Sequence, residues 1–333
     1  MTSPRTSHAL VAVLIALASA LFFTATYVLN RAIANEGGHW AWSASLRYLL
    51  TLPMLAAVLV PRRGTIAAVI GAIGAHPWVW LAWSTLGFGL FCVLLTWAAA
   101  FAPAWLVAGT FQLTVIAGML LAPLLYRGAR ARIPRIALSL GAGIVIGVVL
   151  MQAGHFHGRF DRDAWLAMAA VAASAFLYPL GNRAILLHLE RSGERLDATQ
   201  RVFGMTLASQ PFWLAVAAFA WVEAGPPPAS QVWMAGGVAL FAGTIATILF
   251  FRATAMVQDQ PAALGAVEAM QAAEILFSTA FGVLLLGEAA PRGTAAVGAT
   301  LVIAGIVALG FLVGRRSAGD ERSARALRTD RGA

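Results

Sequence analysis

Residues 30–33 read Asn-Arg-Ala-Ile, and the same four residues return at 182–185. Each copy closes a long apolar run and is followed by a polar connection. Each connection leads to an arginine near the start of the next run, Arg47 and Arg201, and each of those runs carries a proline, Pro53 and Pro211. Further along, Pro103-Ala104 opens one apolar run and Pro261-Ala262 opens another, with Phe111-Gln112 in the former matched by Met270-Gln271 in the latter. Four landmarks in the same order mark an internal repeat with a period near half the chain length.

The runs that carry these landmarks are long enough to cross a ~30 Å hydrocarbon layer, which takes roughly 20 helical residues. Ten such windows are expected, at 9–30, 41–60, 78–101, 104–126, 136–152, 164–187, 202–222, 232–253, 262–286 and 294–313. The composition agrees. Of 333 residues 60% are hydrophobic and 11% charged, and mean hydropathy is +0.79, more apolar surface than a soluble core can hide. The expected fold class is therefore an all-α membrane protein.

Five windows per repeat is an odd number, so the two halves cross the membrane in opposite senses, the inverted architecture of many alternating-access transporters. The first repeat takes residues 1–153 and the second 154–314, with 315–333 expected to be a disordered tail.

Every one of the 23 basic residues is Arg. With the amino terminus inside, Arg62, Arg63, Arg127, Arg130, Arg132, Arg135, Arg191, Arg195 and the tail arginines share one side, against Arg159, Arg162 and Arg292 on the other. The positive-inside rule then puts both termini in the cytoplasm of a cell (inner) membrane. The first run is long enough to remain as a span and is not expected to be cleaved as a signal peptide. Ten of the 11 tryptophans fall near expected span ends and read as interfacial anchors, Trp213 being deeper.

Several chemistries are excluded or disfavoured by what the chain lacks. The net charge of +9 comes from arginines between apolar blocks, without the interleaved aromatics of a nucleic-acid surface. Cys92 is the one cysteine, so no intramolecular disulfide or cysteine metal site is available. His155 and His157, near Asp161 and Asp163, read as a solvated loop and not as metal ligands. There is no phosphate-cradling or metalloprotease motif, and no cofactor is expected.

The acidic residues inside apolar sequence stand out instead. Glu268 and Glu274 both lie in the ninth window, and ionisable groups at membrane depth normally face a bundle interior and mark a pathway. On a continuous α-helix Glu268, Gln271, Glu274 and Ser278 share a sector of about 120°, with the two carboxyls about 9 Å apart along the axis. If Gln112 is matched to Gln271, the first repeat has Gly109 and Val115 in place of the two acids. Glu268 and Glu274 are the proton-coupling candidates. A static ion pair with Arg47, Arg201 or Arg252 is the bland alternative.

Ser174, Tyr178 and Asn182 recur on one helical face, and Tyr27 with Asn30 forms a shorter version in the first window. Such stripes serve either as interhelical hydrogen bonds or as pocket lining. The substrate-binding candidates are Tyr27, Asn30, Arg47, Gln112, Tyr178, Asn182, Arg252 and Gln271. Arg31 and Arg183, at span ends, suit snorkelling or carbonyl capping. Pro53, Pro179 and Pro211 are possible hinges that membrane helices also tolerate without a gating role. The small-residue pairs Gly143/Gly147 and Ala304/Ala308 suit close helix packing, including packing between copies in a homodimer.

The ten-helix plan, the paired Asn-Arg-Ala helix ends and Leu284-Leu285-Leu286-Gly287-Glu288 at the end of the ninth window together resemble the drug/metabolite transporter superfamily, particularly its multidrug-resistance-efflux-like branch. The resemblance spans residues 9–313. It implies a secondary transporter with a central pocket that exports a small solute or drug, usually by proton exchange. The sequence departs from that pattern in two places. Gly128-Ala129 stands in the first repeat where the second has Gly287-Glu288, and the first window lacks the acidic residue that the four-helix small multidrug resistance proteins carry in their first helix.

The expected partners are a small-molecule substrate, the lipid bilayer and protons. The expected function is proton-antiport export of small organic compounds. Facilitative exchange of a metabolite or lipid-linked anion is the alternative within transport, and a polytopic membrane enzyme or sensor is the alternative outside it.

Overall fold

A computed structural model describes residues 4–131, 133, 135–156, 162–257, 266, 267 and 269–308. All secondary structure among them is helical. The first helix runs Pro4–Phe23 and Ala25–Asn35, with an apolar stretch α1 over Leu10–Asn35. It is followed by α2 (Trp40–Leu59), α3 (Thr65–Ala75), α4 (Pro77–Ala98), α5 (Ala104–Leu120), α6 (Arg135–Phe156) and α7 (Arg162–Ser192). Then come α8 (Ala198–Ala208 and Gln210–Ala224), α9 (Ala229–Met256), α10 (Met270–Leu286) and α11 (Thr294–Ala308).

Six of these helices, α1, α2, α4, α6, α7 and α9, are long and apolar enough to cross a membrane. The two pieces of α8 meet the same test together, bent by 46° where Ser209 precedes Gln210-Pro211. Helices α5, α10 and α11 are apolar but shorter in their described residues, and the segments of α10 and α11 adjoin residues outside that description. Much of the sequence expected to begin the ninth window, including Pro261-Ala262 and Glu268, lies outside the described residues, as do His157, Asp161 and the 315–333 tail.

The exterior supports a membrane setting. Leu14, Val145, Ile146, Leu166, Leu214, Leu284 and Leu285 all stand exposed on the helical surface, an arrangement that lipid tolerates and water does not. Polar side chains turn inward or bond the backbone of their own helix, as Ser45 does to Ala41 O, Thr51 to Arg47 O and Thr254 to Phe250 O, which satisfies groups that have no water to meet.

Three features differ from the expectations. Helix α3 occupies sequence read as a connection, because its Ala- and Ile-rich run is too short for a spanning window yet long enough for three turns. The expected 188–200 connection shrinks, since α7 continues to Ser192 and α8 starts at Ala198. A capping box fixes that start: Gln200 N donates to Asp197 Oδ1 and Asp197 N donates to Gln200 Oε1, each at 2.9 Å. Trp80 and Trp105 are fully buried core residues and not interfacial anchors. Trp80 packs against Gly204, and the Trp105 indole N–H donates to Ala289 O.

Two helices carry π-helical segments in mid-course, Thr85–Leu90 in α4 and Ala239–Ala246 in α9. In the second, Thr244 and Thr247 hydroxyls donate five residues back to Ala239 O and Ala242 O. Two others break at a glutamine. Helix α5 is interrupted at Gln112 between Ala104–Phe111 and Leu113–Leu120, and a 3-10 turn over Met270–Ala272 stands between helical Ala269 and the α-helix Ala273–Leu286. The 120° sector computed for an unbroken ninth helix therefore does not apply, because a 3-10 turn advances about 120° per residue instead of about 100°.

Helix packing uses glycine where backbones touch. Gly87 in the π segment of α4 meets Gly181 of α7 so closely that a Cβ on Gly87 would lie 2.8 Å from the Gly181 Cα. Gly147 of α6 meets Gly298 of α11 in the same manner, which assigns that glycine to a contact within the chain. Gly143 faces open space.

Candidate functional site

At the centre, α1 and α10 pack together, and the Tyr27 hydroxyl donates to Glu274 Oε2 at 2.9 Å. Tyr27 is 4% exposed and Glu274 6%. Glu274 sits in the first turn of the α-helical part of α10, where the positive end of the helix dipole favours a carboxylate.

Aromatic rings wall the site. Tyr27 and Tyr178 each lie beside Phe111, at 6.5 Å and 6.2 Å between centroids. Phe91 closes the group at 5.7 Å from Phe111 and 5.0 Å from Tyr178. A second group follows on α2, α4 and α8. Tyr48 stacks on Trp213 at 4.6 Å and lies 5.6 Å from Phe88.

Arg47 lies against the second group. It is 8% exposed, its guanidinium carbon sits 5.6 Å over the Tyr48 ring, and its Nη1 is buried without a hydrogen-bond partner. Neither Arg47 nor Glu274 belongs to an ion pair among the described residues. The static pairing weighed from sequence is therefore not formed at Glu274, which bonds a tyrosine instead.

The other sequence candidates are distributed around this centre. Gln271 stands one turn before Glu274 with Nε2 buried and unpartnered. Gln112 is buried at the α5 break, and Asn30 is buried on α1. Asn182 donates to Tyr178 O of its own helix, and Ser174 to Val171 O, so this stripe bonds locally. Arg252 is exposed on α9, away from the buried cluster, and Glu268 lies outside the described residues.

Sequence reading missed a second polar arrangement, at the end of the bundle where α1 finishes. Arg31 Nη1 donates to Ala99 O and Ala100 O at 3.0 and 2.9 Å, capping the end of α4. Its Nε lies 3.4 Å from Glu288 Oε1. Glu288 in turn accepts from Ala104 N with both oxygens, at 3.0 and 3.1 Å, capping the start of α5. A cation at a helix carboxyl end and an anion at a helix amino end each complement the dipole, and together they clamp the break between α4 and α5. Arg183, the repeat counterpart of Arg31, donates to Gly118 O. Of the two roles expected for both arginines, snorkelling or carbonyl capping, each performs the second.

At the opposite end lies open space. A cavity of about 320 Å³ is lined by Val79, Trp83, Leu187, His188 and Arg191 among others, and a neighbouring one of about 440 Å³ by Tyr126, Arg127 and Arg191. Both include Leu124 and Leu125. His188 meets His76 edge-on there, at 4.6 Å. His155, at the other end, packs edge-on against Trp105, and no group of three metal-ligating side chains occurs among the described residues.

The chain has relatives over most of its length. It is 42% identical over 305 residues to "Uncharacterized protein YjlA" of Bacillus subtilis (strain 168), a match covering 89% of this chain and 93% of that protein. It is 41% identical over 256 residues to "Uncharacterized 42.1 kDa protein in intracellular alkaline protease 3'region" of Shouchella clausii, covering 75% of this chain and 66% of that protein. A solved structure described as "Crystal structure of protein" shares the fold, with a TM-score of 0.55 and 18% identity over 90% of this chain and 98% of that one. The family model described as "Putative multidrug resistance efflux transporter", EmrE, matches residues 10–315. The chain belongs to this EmrE-like efflux transporter family of the drug/metabolite transporter superfamily.

Proposed function

We propose that the protein is a secondary active transporter of the cell membrane that exports small organic compounds in exchange for protons, with Glu274 as the coupling carboxyl. The observation that carries this reading is the Tyr27–Glu274 hydrogen bond, buried where α1 meets α10 and free of any arginine partner among the described residues. A carboxyl in such a place has no bulk water to neutralise it. It holds a proton or a cationic group of the substrate, and alternation of access between the two faces makes the two exclusive.

The reading places ten spans in two inverted repeats of five. Matching irregularities support it. The π segments fall in the third and eighth spans, and the glutamine breaks in the fourth and ninth. Such segments often mark sites of function or movement. The Arg31–Glu288 clamp ties the helix ends at one end of the bundle, and the cavities lie at the other. With both termini cytoplasmic, the clamped end is the outer one. The exposed Ala304 and Ala308 on α11 offer a surface for a second copy. The buried centre is shielded by aromatic rings and reached by short connections, which suits passage of a solute better than the clustered interfacial groups of a membrane enzyme.

The test is transport in proteoliposomes under an imposed pH gradient, using a compound that raises the melting temperature of the purified protein. Wild type should accumulate it and Glu274→Gln should not. Gradient-driven accumulation by Glu274→Gln at the wild-type rate would overturn the coupling role.

A further inference from the structure

At the end of the bundle opposite the clamp, the two cavities run together. They share Leu124, Leu125, Leu187 and Arg191, so they form one groove between α4, α7 and the helical turn Ala122–Leu125 that follows α5. Its inner part is apolar, with Val79 and Trp83 contributed by α4 and Leu187 by α7. Its outer part carries Tyr126 and two arginines, Arg127 and Arg191. No carboxylate lines either cavity, although Glu190 and Glu194 stand close to Arg191 in the sequence.

The depth of these residues follows from the chain. Arg191 belongs to the last turn of α7, and Arg127 stands two residues past the turn that ends at Leu125. Both charges therefore sit where their helices leave the membrane. Leu187 precedes Arg191 by four residues, about 6 Å deeper along the helix. Leu124 is 80% exposed, which opens the groove sideways onto the lipid. Charge at the interface with apolar surface directly below it is the order of a phospholipid, phosphate above chains. A soluble anion would use the arginines and leave the leucines uncovered.

A second observation comes from the sequence. The connection into α6 reads Arg127-Gly128-Ala129-Arg130-Ala131-Arg132-Ile133-Pro134-Arg135, four arginines in nine residues with no acid. A basic cluster of this size beside a membrane helix attracts anionic lipid headgroups. Guanidinium groups suit phosphate in particular, because two parallel N–H donors match two of its oxygens. Arg31 and Arg183 are committed to backbone carbonyls, whereas Arg127 and Arg191 are exposed beside the groove.

We infer that this groove is a binding site for one anionic phospholipid, its phosphate between Arg127 and Arg191 and its chains over Leu124, Leu125 and Leu187. The site is separate from Glu274, and it stands whatever compound the protein carries and however transport is coupled. A lipid held there ties the end of α7 to the connection that follows α5.

The test adds lipid to the purified full-length protein in detergent and follows its melting temperature. The probes are dioleoylphosphatidylglycerol, dioleoylphosphatidylcholine, which keeps the chains and phosphate but has no net charge, and sn-glycerol 3-phosphate, which lacks the chains. Phosphatidylglycerol should stabilise wild type at concentrations about tenfold or more below phosphatidylcholine, and glycerol phosphate should produce no shift. In Arg127→Gln/Arg191→Gln the preference between the two lipids should fall to about twofold or less. Arg63→Gln/Arg292→Gln loses the same charge at exposed positions outside the groove and should keep the preference.

Equal stabilisation of wild type by the two lipids would mean annular lipid only and overturns the site. A shift with glycerol phosphate that matches phosphatidylglycerol makes the groove a soluble-anion site and overturns the lipid. Equal loss of preference in both double variants reduces the effect to net charge and overturns the inference as well. If the groove variant does not fold, Arg127→Gln alone decides, since that residue lies beyond the helix end. Its preference should fall by about threefold or more, and an unchanged preference overturns the site.

Discussion

Tyr27 donates its hydroxyl to Glu274 across 2.9 Å, joining residues 247 positions apart in the chain. The bond ties the first helix to the tenth and gives the carboxyl a partner that bears no charge. A tyrosine holds such a group in place without locking it into an ion pair, so a proton or a substrate group has something to displace only weakly.

Tyr27→Phe keeps the ring against Phe111 and removes the hydroxyl. It should lower stability by about 1–3 kcal/mol, since a buried carboxyl loses a hydrogen bond, and should reduce pH-driven transport without abolishing it. Thermal unfolding in detergent and initial rates in proteoliposomes measure the two effects. An unchanged melting temperature would show that the bond contributes nothing in the folded state.

The clamp at the other polar centre makes a graded prediction. Glu288→Ala removes the acceptor of Ala104 N–H as well as the charge facing Arg31 and should destabilise by about 1–3 kcal/mol. Glu288→Gln retains an acceptor and should lose less. Both should loosen the break between α4 and α5, read as faster labelling of a cysteine placed at Ala289 by a membrane-impermeant maleimide. Equal labelling rates in all three proteins would remove the clamp from the account.

Glu288 also titrates in a defined direction. It lies beyond the end of α10, and burial pushes its carboxyl above the ordinary value, with Ala104 N–H and the Arg31 guanidinium pulling the other way. The folded chain then binds this proton more readily than the unfolded chain. Its contribution to stability is full below the unfolded value of about 4.3 and is lost as pH rises through the raised folded value. The stability of wild type minus that of Glu288→Gln should therefore fall as pH rises from about 4.3 through the raised folded value. A difference that is flat or rises with pH would contradict this.

Gly181→Ala inserts a methyl group into the Gly87 backbone and should cost about 1–3 kcal/mol through overpacking. Gly71→Ala, in α3, meets nothing within 4 Å and should be neutral or stabilising by up to about 1 kcal/mol. Comparing the two melting temperatures separates close backbone approach from helix propensity.

Much of this arrangement was legible in the sequence. Hydropathy located a helix in each expected window, but among the described residues six of them, or seven with the bent α8, have spanning length. The repeat landmarks marked Gln112 and Gln271, and both sit at helix breaks. The pairing of Tyr27 with Glu274 was not legible, since it depends on which face α1 turns toward α10, and both residues appeared only as separate candidates. Helix α3 escaped because its 11 residues are too few for a spanning window. The 3-10 turn at Met270 gave no warning in residue type, and the Arg31–Glu288 clamp was hidden because each partner read as an ordinary helix end.

The account's central claim is that substrate and proton compete for Glu274. Proton release on binding tests it most directly: a compound that raises the melting temperature of the purified protein is added in weakly buffered detergent solution and the pH change is followed with an indicator dye. Wild type should release up to about one proton per ligand bound, while Glu274→Gln binds residual ligand and releases none. Binding to wild type with no proton released, or equal release from Glu274→Gln, would contradict it.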